Sequence, residues 1–206
     1  MVVLAIIVVL SSIVLNNQSS FNKTILLANT AYDIALTIRS TETYGLSSRA
    51  AGTAANVGYG IHFSTSGVAN NSFAIFADTS GGTSCAGMPP DCKPGDRVYN
   101  APGFRPDVLE QTYNLNNGVV IHDFCAFSGV GGWSCAAGGA ISSLDIVFVR
   151  PSPAPFMSTN GSYSASPFSV TAACLAIASP NAPGGPYRFV SIGSSGQIVA
   201  NAVSCP

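Results

Sequence analysis

The side chains best suited to catalysis or metal binding are few and widely spaced. The 206 residues include 2 histidines, His62 and His122, and 6 cysteines. His122 and Asp123 precede Cys125, but alternation along a strand places His122 and Asp123 on opposite faces and Asp123 with Cys125 on one face. The sequence has no G-x-S-x-G nucleophile elbow and no H-E-x-x-H zinc motif. We therefore expect no enzymatic activity, and a structural role for His122.

Four aspartates surround a proline-rich loop and could supply oxygen ligands to calcium: Asp78, Asp91, Asp96 and Asp107. Their spacing matches no EF-hand loop, so a calcium site is weakly supported. The single tryptophan, Trp133, lies in SGVGGWSCAAGG, where it could anchor a loop or, if exposed, offer a platform to a ligand. We expect neither a bound metal nor a cofactor.

The cysteines lie at 85, 92, 125, 135, 174 and 205, and no two of them are spaced C-x-x-C. An even number of cysteines among many small polar residues is typical of an oxidising, extracytoplasmic compartment, although buried thiols in a cytosolic protein are an alternative. Loop closure favours the pairs Cys85–Cys92, Cys125–Cys135 and Cys174–Cys205, while other pairings stay open. Each bridge is expected to stabilise the fold by about 2–4 kcal/mol.

The charge of the chain argues against a nucleic-acid partner. Only 8% of the residues are charged, with 8 Lys and Arg against 9 Asp and Glu. A near-neutral chain has no basic face with which to displace counterions from phosphates. We therefore expect no binding of DNA or RNA.

The first 44 residues contain no Pro or Gly and read as one long helix. Residues 1 to 15 are apolar except for Ser11 and Ser12, and as a helix they would rise about 22 Å, less than the roughly 30 Å of a bilayer core. Apolar residues then recur at helical spacing up to the predicted stop at Gly45. We expect one row to face the β domain, namely Phe21, Ile25, Ala28, Tyr32, Ala35 and Ile38. An adjacent apolar row comprises Leu27, Ala31, Ile34 and Ile38.

After residue 56 the pattern becomes that of short strands rich in aromatic and β-branched residues. Stretches 58–64 and 71–79 suggest a hairpin, as do 187–192 and 197–203. The clearest hairpin signal is LEQTYNL and VVIHDFCAF joined by the turn NNG. With 141–151 and 169–179 the count is about seven strands, mostly antiparallel. The expected fold class is α+β, a long N-terminal helix packed on an antiparallel sheet.

The opening MVVLAIIVVLSSIVLNNQSSFNK resembles the apolar spine of type IV pilins and of type II secretion pseudopilins. Its continuation LANTAYDIALTIRSTETYGLSSRA, the strand GYGIHFS and the closing YRFVSIGSSGQIVA are similar to the minor pseudopilin family described as FimT/GspH-like. No residue matches the family's basic leader, its cleavage point or its early glutamate, so those roles are assigned to none. The resemblance divides the chain into an apolar half-helix (1–20), an amphipathic half-helix (21–50) and a β domain (51–206).

The resemblance implies a structural subunit of a type IV pilus-like filament or a type II secretion pseudopilus. Its partners would be copies of itself, other pilin-like subunits and the inner-membrane assembly machinery. The apolar half-helix would be inserted in the membrane before assembly, and afterwards would pack in the core of a cell-surface filament or periplasmic pseudopilus. The implied packing residues are Met1, Val2, Val3, Leu4, Ile6, Ile7, Val8, Val9, Leu10, Ile13, Val14 and Leu15.

The first segment allows two other interpretations. A cleaved signal peptide would have the right length of apolar run, but the sequence shows neither a positively charged start nor an A-x-A-like cleavage site. A membrane-tethered extracytoplasmic β domain that binds a ligand or a surface would need the same segment. It differs from the filament subunit only in that its copies do not assemble.

Overall fold

A computed structural model of the chain describes residues 2–47, 49–52, 56–65, 71–80, 95–102, 107–163, 169–179, 185–202 and 204–205. Side chains at 5, 8–10, 13–20 and 201 are outside that description. Within these residues the chain forms one helix, α1 (Val2–Leu46), followed by ten strands. The strands are β1 (Gly58–Ser64), β2 (Ser72–Asp78), β3 (Val108–Asn114), β4 (Val120–Ser128), β5 (Gly132–Cys135), β6 (Ser143–Val149), β7 (Ser152–Thr159), β8 (Val170–Ala178), β9 (Arg188–Gly193) and β10 (Ile198–Ala202).

The strands form two antiparallel sheets of five strands each. The first sheet has the order β3-β2-β1-β6-β7 and the second the order β10-β9-β8-β4-β5. The described fold is therefore mainly β, and the expectation of an α+β fold with a single sheet of about seven strands is wrong. The difference arises because the sequence indicates most of the strands, but not β5 and β7, and does not show which strands share a sheet.

One hydrophobic core joins α1 to the inner faces of both sheets. From the helix it receives Leu27, Ala31, Ile34, Ala35 and Ile38, all buried. The first sheet contributes residues such as Ile61, Phe63 and Ile146, and the second Leu175 and Val190. The helix contacts β1 and β6 of one sheet and β9 and β10 of the other. The helix thus covers the core on the side where it contacts both sheets.

The row of helix residues predicted to face the β domain is only partly right. Ala35 and Ile38 are buried, but Phe21, Ile25 and Tyr32 are exposed, and Ala28 is half-buried. The buried row is the adjacent one, Leu27, Ala31, Ile34 and Ile38. Since both rows are apolar, periodicity alone could not show which of them meets the sheets.

Polar residues on the buried side of α1 are satisfied within the helix. The hydroxyl of Thr30 donates to the carbonyl of Leu26 at 2.9 Å, and that of Thr41 donates to Thr37 at 3.0 Å. A threonine bonded to the carbonyl four residues earlier can be buried without an unpaired hydroxyl. Gly45 lies so close to the first sheet that a Cβ would collide with the carbonyl oxygen of Phe148. The helix ends at Leu46, one residue beyond the predicted stop.

The hairpin predicted with most support does not form. β3 pairs with β2 in the first sheet, whereas β4 pairs with β5 and β8 in the second. Asn117 and Gly118 do adopt the positive φ angles, 58° and 71°, that an Asn-Gly turn favours. The turn therefore carries the chain from one sheet to the other. The two other predicted hairpins, β1 with β2 and β9 with β10, are confirmed.

Two strands were missed by the sequence analysis. β7 contains Pro153 and Pro155, which cannot donate to a sheet ladder, and it lies at the edge of the first sheet, where prolines are tolerated. β5 has four residues and lies at an edge of the second sheet. It is aligned with β4 so that Cys135 lies opposite Cys125.

Two of the three predicted disulfides are confirmed, Cys125–Cys135 and Cys174–Cys205. The first joins β4 to β5. The second links buried Cys174 of β8 to the chain just after β10. Cys85 and Cys92 lie outside the described residues.

We predict that the two bridges differ in their contribution to stability. The Cys174–Cys205 bridge closes a separation of 31 residues and Cys125–Cys135 one of 10. Chain entropy then gives about 4 kcal/mol for the long loop and about 3 kcal/mol for the short one. In urea unfolding, the Cys174→Ser/Cys205→Ser variant should lose about 1 kcal/mol more than the Cys125→Ser/Cys135→Ser variant. A larger loss in the latter would contradict this assignment.

Candidate functional site

The face of α1 that points away from the sheets carries a second apolar row. Phe21, Ile25, Tyr32 and Leu36 are 65%, 43%, 52% and 63% exposed. Successive residues of a helix are rotated by roughly 100°, which puts these four within one narrow stripe, roughly 140° around the helix from the buried row. We call these four residues the outer stripe. Its spacing shows that α1 has two apolar faces, of which the β domain covers one.

The outer stripe is almost free of charge. Lys23 and Asp33 are the charged residues between Phe21 and Leu36, and helical geometry places both off the stripe. One turn further, Arg39 has the same angular position as Phe21 and is exposed, while its guanidinium donates to the carbonyl of Ile198 at 3.2 Å. Between Phe21 and Leu36 an apolar partner could therefore cover the outer stripe without removing a charged group on it from water, a removal that would oppose binding.

The start of α1 also exposes large apolar side chains. Of the predicted packing residues, Val2, Val3, Leu4, Ile6 and Ile7 are exposed. The side chains of the other seven, Met1, Val8, Val9, Leu10, Ile13, Val14 and Leu15, lie outside the described residues. In the part of the chain that is described, no helix is both long and apolar enough to span a membrane. The outer stripe and this start lie on one continuous helix.

A second group of functional interest is a set of buried carboxylates on the outer face of the first sheet. Residues Gly95 to Asn100, here called the 95–100 segment, cover the end of β2. Asp78 Oδ1 and Oδ2 accept bonds from the backbone N–H groups of Asp96 and Arg97, both at 3.1 Å. The carboxylate of Asp107 accepts from the N–H groups of Thr79, Ser80 and Asn100. Buried carboxylates thus fix the main chain of the segment.

These carboxylates have perturbed acidities. Burial raises the pKa of Asp78 from 3.8 to about 7, and the nearby negative charge of Asp107 adds to the effect. The pKa of Asp107 is also raised, again mainly by burial, against the opposing effect of its backbone N–H bonds. The Arg97 guanidinium, 3.7 Å from Asp78, offsets only part of this cost.

A third buried carboxylate, Asp145 on β6, pairs with a histidine. His62 Nδ1 lies 2.6 Å from Asp145 Oδ1, and the Ser158 hydroxyl lies 3.4 Å from Oδ2. The Tyr99 ring lies 4.6 Å from the His62 ring, and the Tyr99 backbone N–H also bonds to Asp145. Burial raises the pKa of Asp145 in spite of His62. No local sequence pattern indicates this pair, because 83 residues separate its members.

His122 and Asp123 are not arranged as strand alternation predicts. The register between β4 and β8 shifts at this point, so that Ile121 pairs with Ile177 but Asp123 with Ala176. The extra residue is His122, and such a bulge changes the side to which neighbouring residues point. His122 and Asp123 consequently line the same small cavity, of about 150 Å³. Asp123 and Cys125 share a side as expected, with 3.7 Å between Oδ2 and Sγ.

The described residues offer little to a metal ion. Within them, the group of three potential ligands whose atoms all lie within 4.8 Å of one another is Asp123 with Cys125 and Cys135. Both cysteines are in the disulfide, so Asp123 alone could act as an ordinary ligand. Its Oδ1 already accepts the N–H groups of Phe124 and Ala137. Of the four aspartates considered for calcium, Asp91 is outside the described residues and the other three hold the 95–100 segment.

The aromatic residue considered as a ligand platform is half-buried. Trp133 packs against Phe127 across the β4–β5 hairpin, with ring centroids 5.4 Å apart. The hairpin tip exposes Val130. Trp133 thus anchors the hairpin through its contact with Phe127.

Comparison with protein-family models, with curated proteins and with solved structures found no match to this chain. The two disulfides are consistent with an oxidising compartment, extracellular or periplasmic.

We predict that the two histidines contribute very differently to stability. The His62→Ala change leaves the buried Asp145 without its closest partner and should cost about 2 kcal/mol or more. The His122→Ala change removes an exposed side chain and should cost well under 1 kcal/mol. Urea unfolding at one pH measures both. Equal losses from the two variants would contradict a stabilising role for the His62–Asp145 pair.

Proposed function

We propose that this protein is a structural subunit of a filament of the type IV pilus or type II secretion pseudopilus kind, and that it assembles through α1. The observation that carries the proposal is the outer stripe. The outer stripe is apolar, exposed and aligned, while another row of the same helix packs in the hydrophobic core. A helix with two apolar faces is suited to packing against its own domain on one side and against a partner on the other.

The energetics favour a helix-mediated contact. Complete burial of a large apolar side chain contributes about 1.5–3 kcal/mol, so four such residues supply several kcal/mol even when partly covered beforehand. The exposed residues at the start of α1 extend this surface along the helix. Low charge between Phe21 and Leu36 keeps the desolvation cost of the contact small.

The resemblance of the first 65 residues to pilin-like spines supports the same proposal and gives the partners. They are further copies of the chain and other pilin-like subunits, delivered by an inner-membrane assembly machinery. Before assembly the apolar start would lie in the membrane, and afterwards in the helical core of an extracytoplasmic filament. The disulfides would brace the part of the β domain that faces the outside.

The test is to replace outer-stripe residues in the host and to examine sheared surface material by electron microscopy. The Ile25→Gln/Leu36→Gln variant should form few or no filaments, because glutamine keeps the helix but removes the apolar contact. Its unfolding free energy should stay within about 1 kcal/mol of the unmodified chain, since both positions are exposed. Filaments at normal abundance would contradict the proposal.

Two control variants make the result specific. Val130→Gln replaces a residue that is 69% exposed on the β4–β5 tip and should leave filaments unchanged. Ile38→Ala changes the buried face instead and should destabilise the domain by about 2–5 kcal/mol. If the unmodified chain occurs in no filament, a membrane-tethered binding domain becomes the better description.

A further inference from the structure

Hydrogen bonds link the 95–100 segment to Ser80, which follows β2, and to Asp107, which precedes β3. Gly95 N–H donates to the Ser80 carbonyl at 2.9 Å, and Asp107 N–H donates to the Asn100 carbonyl at 3.0 Å. The Asn100 side-chain amide donates to the Ser80 hydroxyl and to both carboxylate oxygens of Asp96. These bonds join the 95–100 segment to the residues that directly follow β2 and precede β3.

The 95–100 segment lies on three buried carboxyl groups. Asp78 and Asp145 are fully buried, and Asp107 is 7% exposed. Each accepts at least one backbone N–H from the 95–100 segment. Asp78 accepts those of Asp96 and Arg97. Asp145 accepts that of Tyr99, and Asp107 accepts that of Asn100. The Ser158 hydroxyl, next to Asp145, donates to the Arg97 carbonyl at 2.8 Å. Seating the segment therefore removes three acidic groups from water together.

The charges that face these groups do not balance. In the described part of the chain, Asp78 is faced by the carboxylates of Asp107 and Asp96 and by the Arg97 guanidinium. Asp107 is faced by Asp96, and Asp145 by His62. The Arg97 guanidinium lies 4.5 Å from the Phe156 ring centre, so the same cation is shared with an aromatic face. Negative charge therefore exceeds positive charge beneath the segment.

We propose that the 95–100 segment is a pH-dependent clasp, seated most firmly on the first sheet in mildly acid solution and loosened as the pH rises to neutral. Burial of these three carboxyl groups favours the state in which they carry fewer negative charges.

The direction follows from proton linkage. When the segment is seated, the pKa of Asp78 is about 7, against 3.8 for the group in water. Between these values the seated form binds one proton more than the open form, so raising the pH favours opening. The opening constant should rise about tenfold per pH unit in this window and level off above pH 7. Asp107 and Asp145, whose pKa values are also raised, act in the same direction.

Hydrogen exchange of the full chain, followed by mass spectrometry at pH 5 and pH 7, tests the clasp. After correction for intrinsic rates, peptides covering 95–100 should lose protection at pH 7 by about tenfold or more, because a single group with these two pKa values predicts about 50-fold between pH 5 and pH 7. Peptides from β8 in the core should change much less, which separates local opening from global unfolding. Protection in the segment that is equal at the two pH values, or greater at pH 7, would overturn the proposal.

Two variants connect the effect to the buried acid. Asp78→Asn cannot take up the proton. In this variant the ratio of protection at pH 5 to protection at pH 7, measured in 95–100, should be smaller by tenfold or more. Asp123→Asn is the matched control, because Asp123 also accepts two backbone N–H bonds but belongs to the β4–β5 region. It should leave the pH dependence unchanged. If Asp78→Asn does not fold, the pH profile of the unmodified chain decides on its own.

Discussion

The packing of α1 against two sheets at once is the contact on which the rest of the structure depends. Each sheet has an apolar inner face, and these faces meet the same buried row of the helix. Leu27, Ala31, Ile34 and Ile38 are at most 1% exposed, so the row is completely enclosed. Threonines within the buried side bond to their own helix, and Gly45 allows the backbone to approach Phe148. Loss of this row would leave both inner faces open to water.

That constraint explains why the other side of the helix is informative. A helix that only covers a domain needs one apolar face, and its outer face is normally polar. Here the outer face holds Phe21, Ile25, Tyr32 and Leu36. These residues contribute nothing to the described core, yet they are apolar at helical spacing. Assembly gives a physical reason for a row that folding does not require.

Local patterns in the sequence predicted local structure well. The helix, the β1–β2 and β9–β10 hairpins and the disulfides Cys125–Cys135 and Cys174–Cys205 follow from periodicity, turn residues and loop closure. Contacts between residues far apart in the sequence could not be predicted from these local patterns. The Asn117–Gly118 turn has the geometry of a hairpin but connects two sheets, and two apolar rows of α1 were equally suited to the core. The His62–Asp145 pair forms only because β1 and β6 are neighbours in the first sheet.

Because the chain has few charged residues, the buried acidic residues are a large share of its acidic groups. Three of the nine acidic residues, Asp78, Asp107 and Asp145, are buried beneath or beside one short segment. A carboxylate is an efficient acceptor for several backbone N–H groups, which explains its use where the main chain must be fixed. The same group opposes burial when it is ionised, because desolvation penalises the charged form. The anchoring that gives the segment its shape therefore also makes its stability depend on protons, whereas the apolar contacts of α1 carry no such dependence.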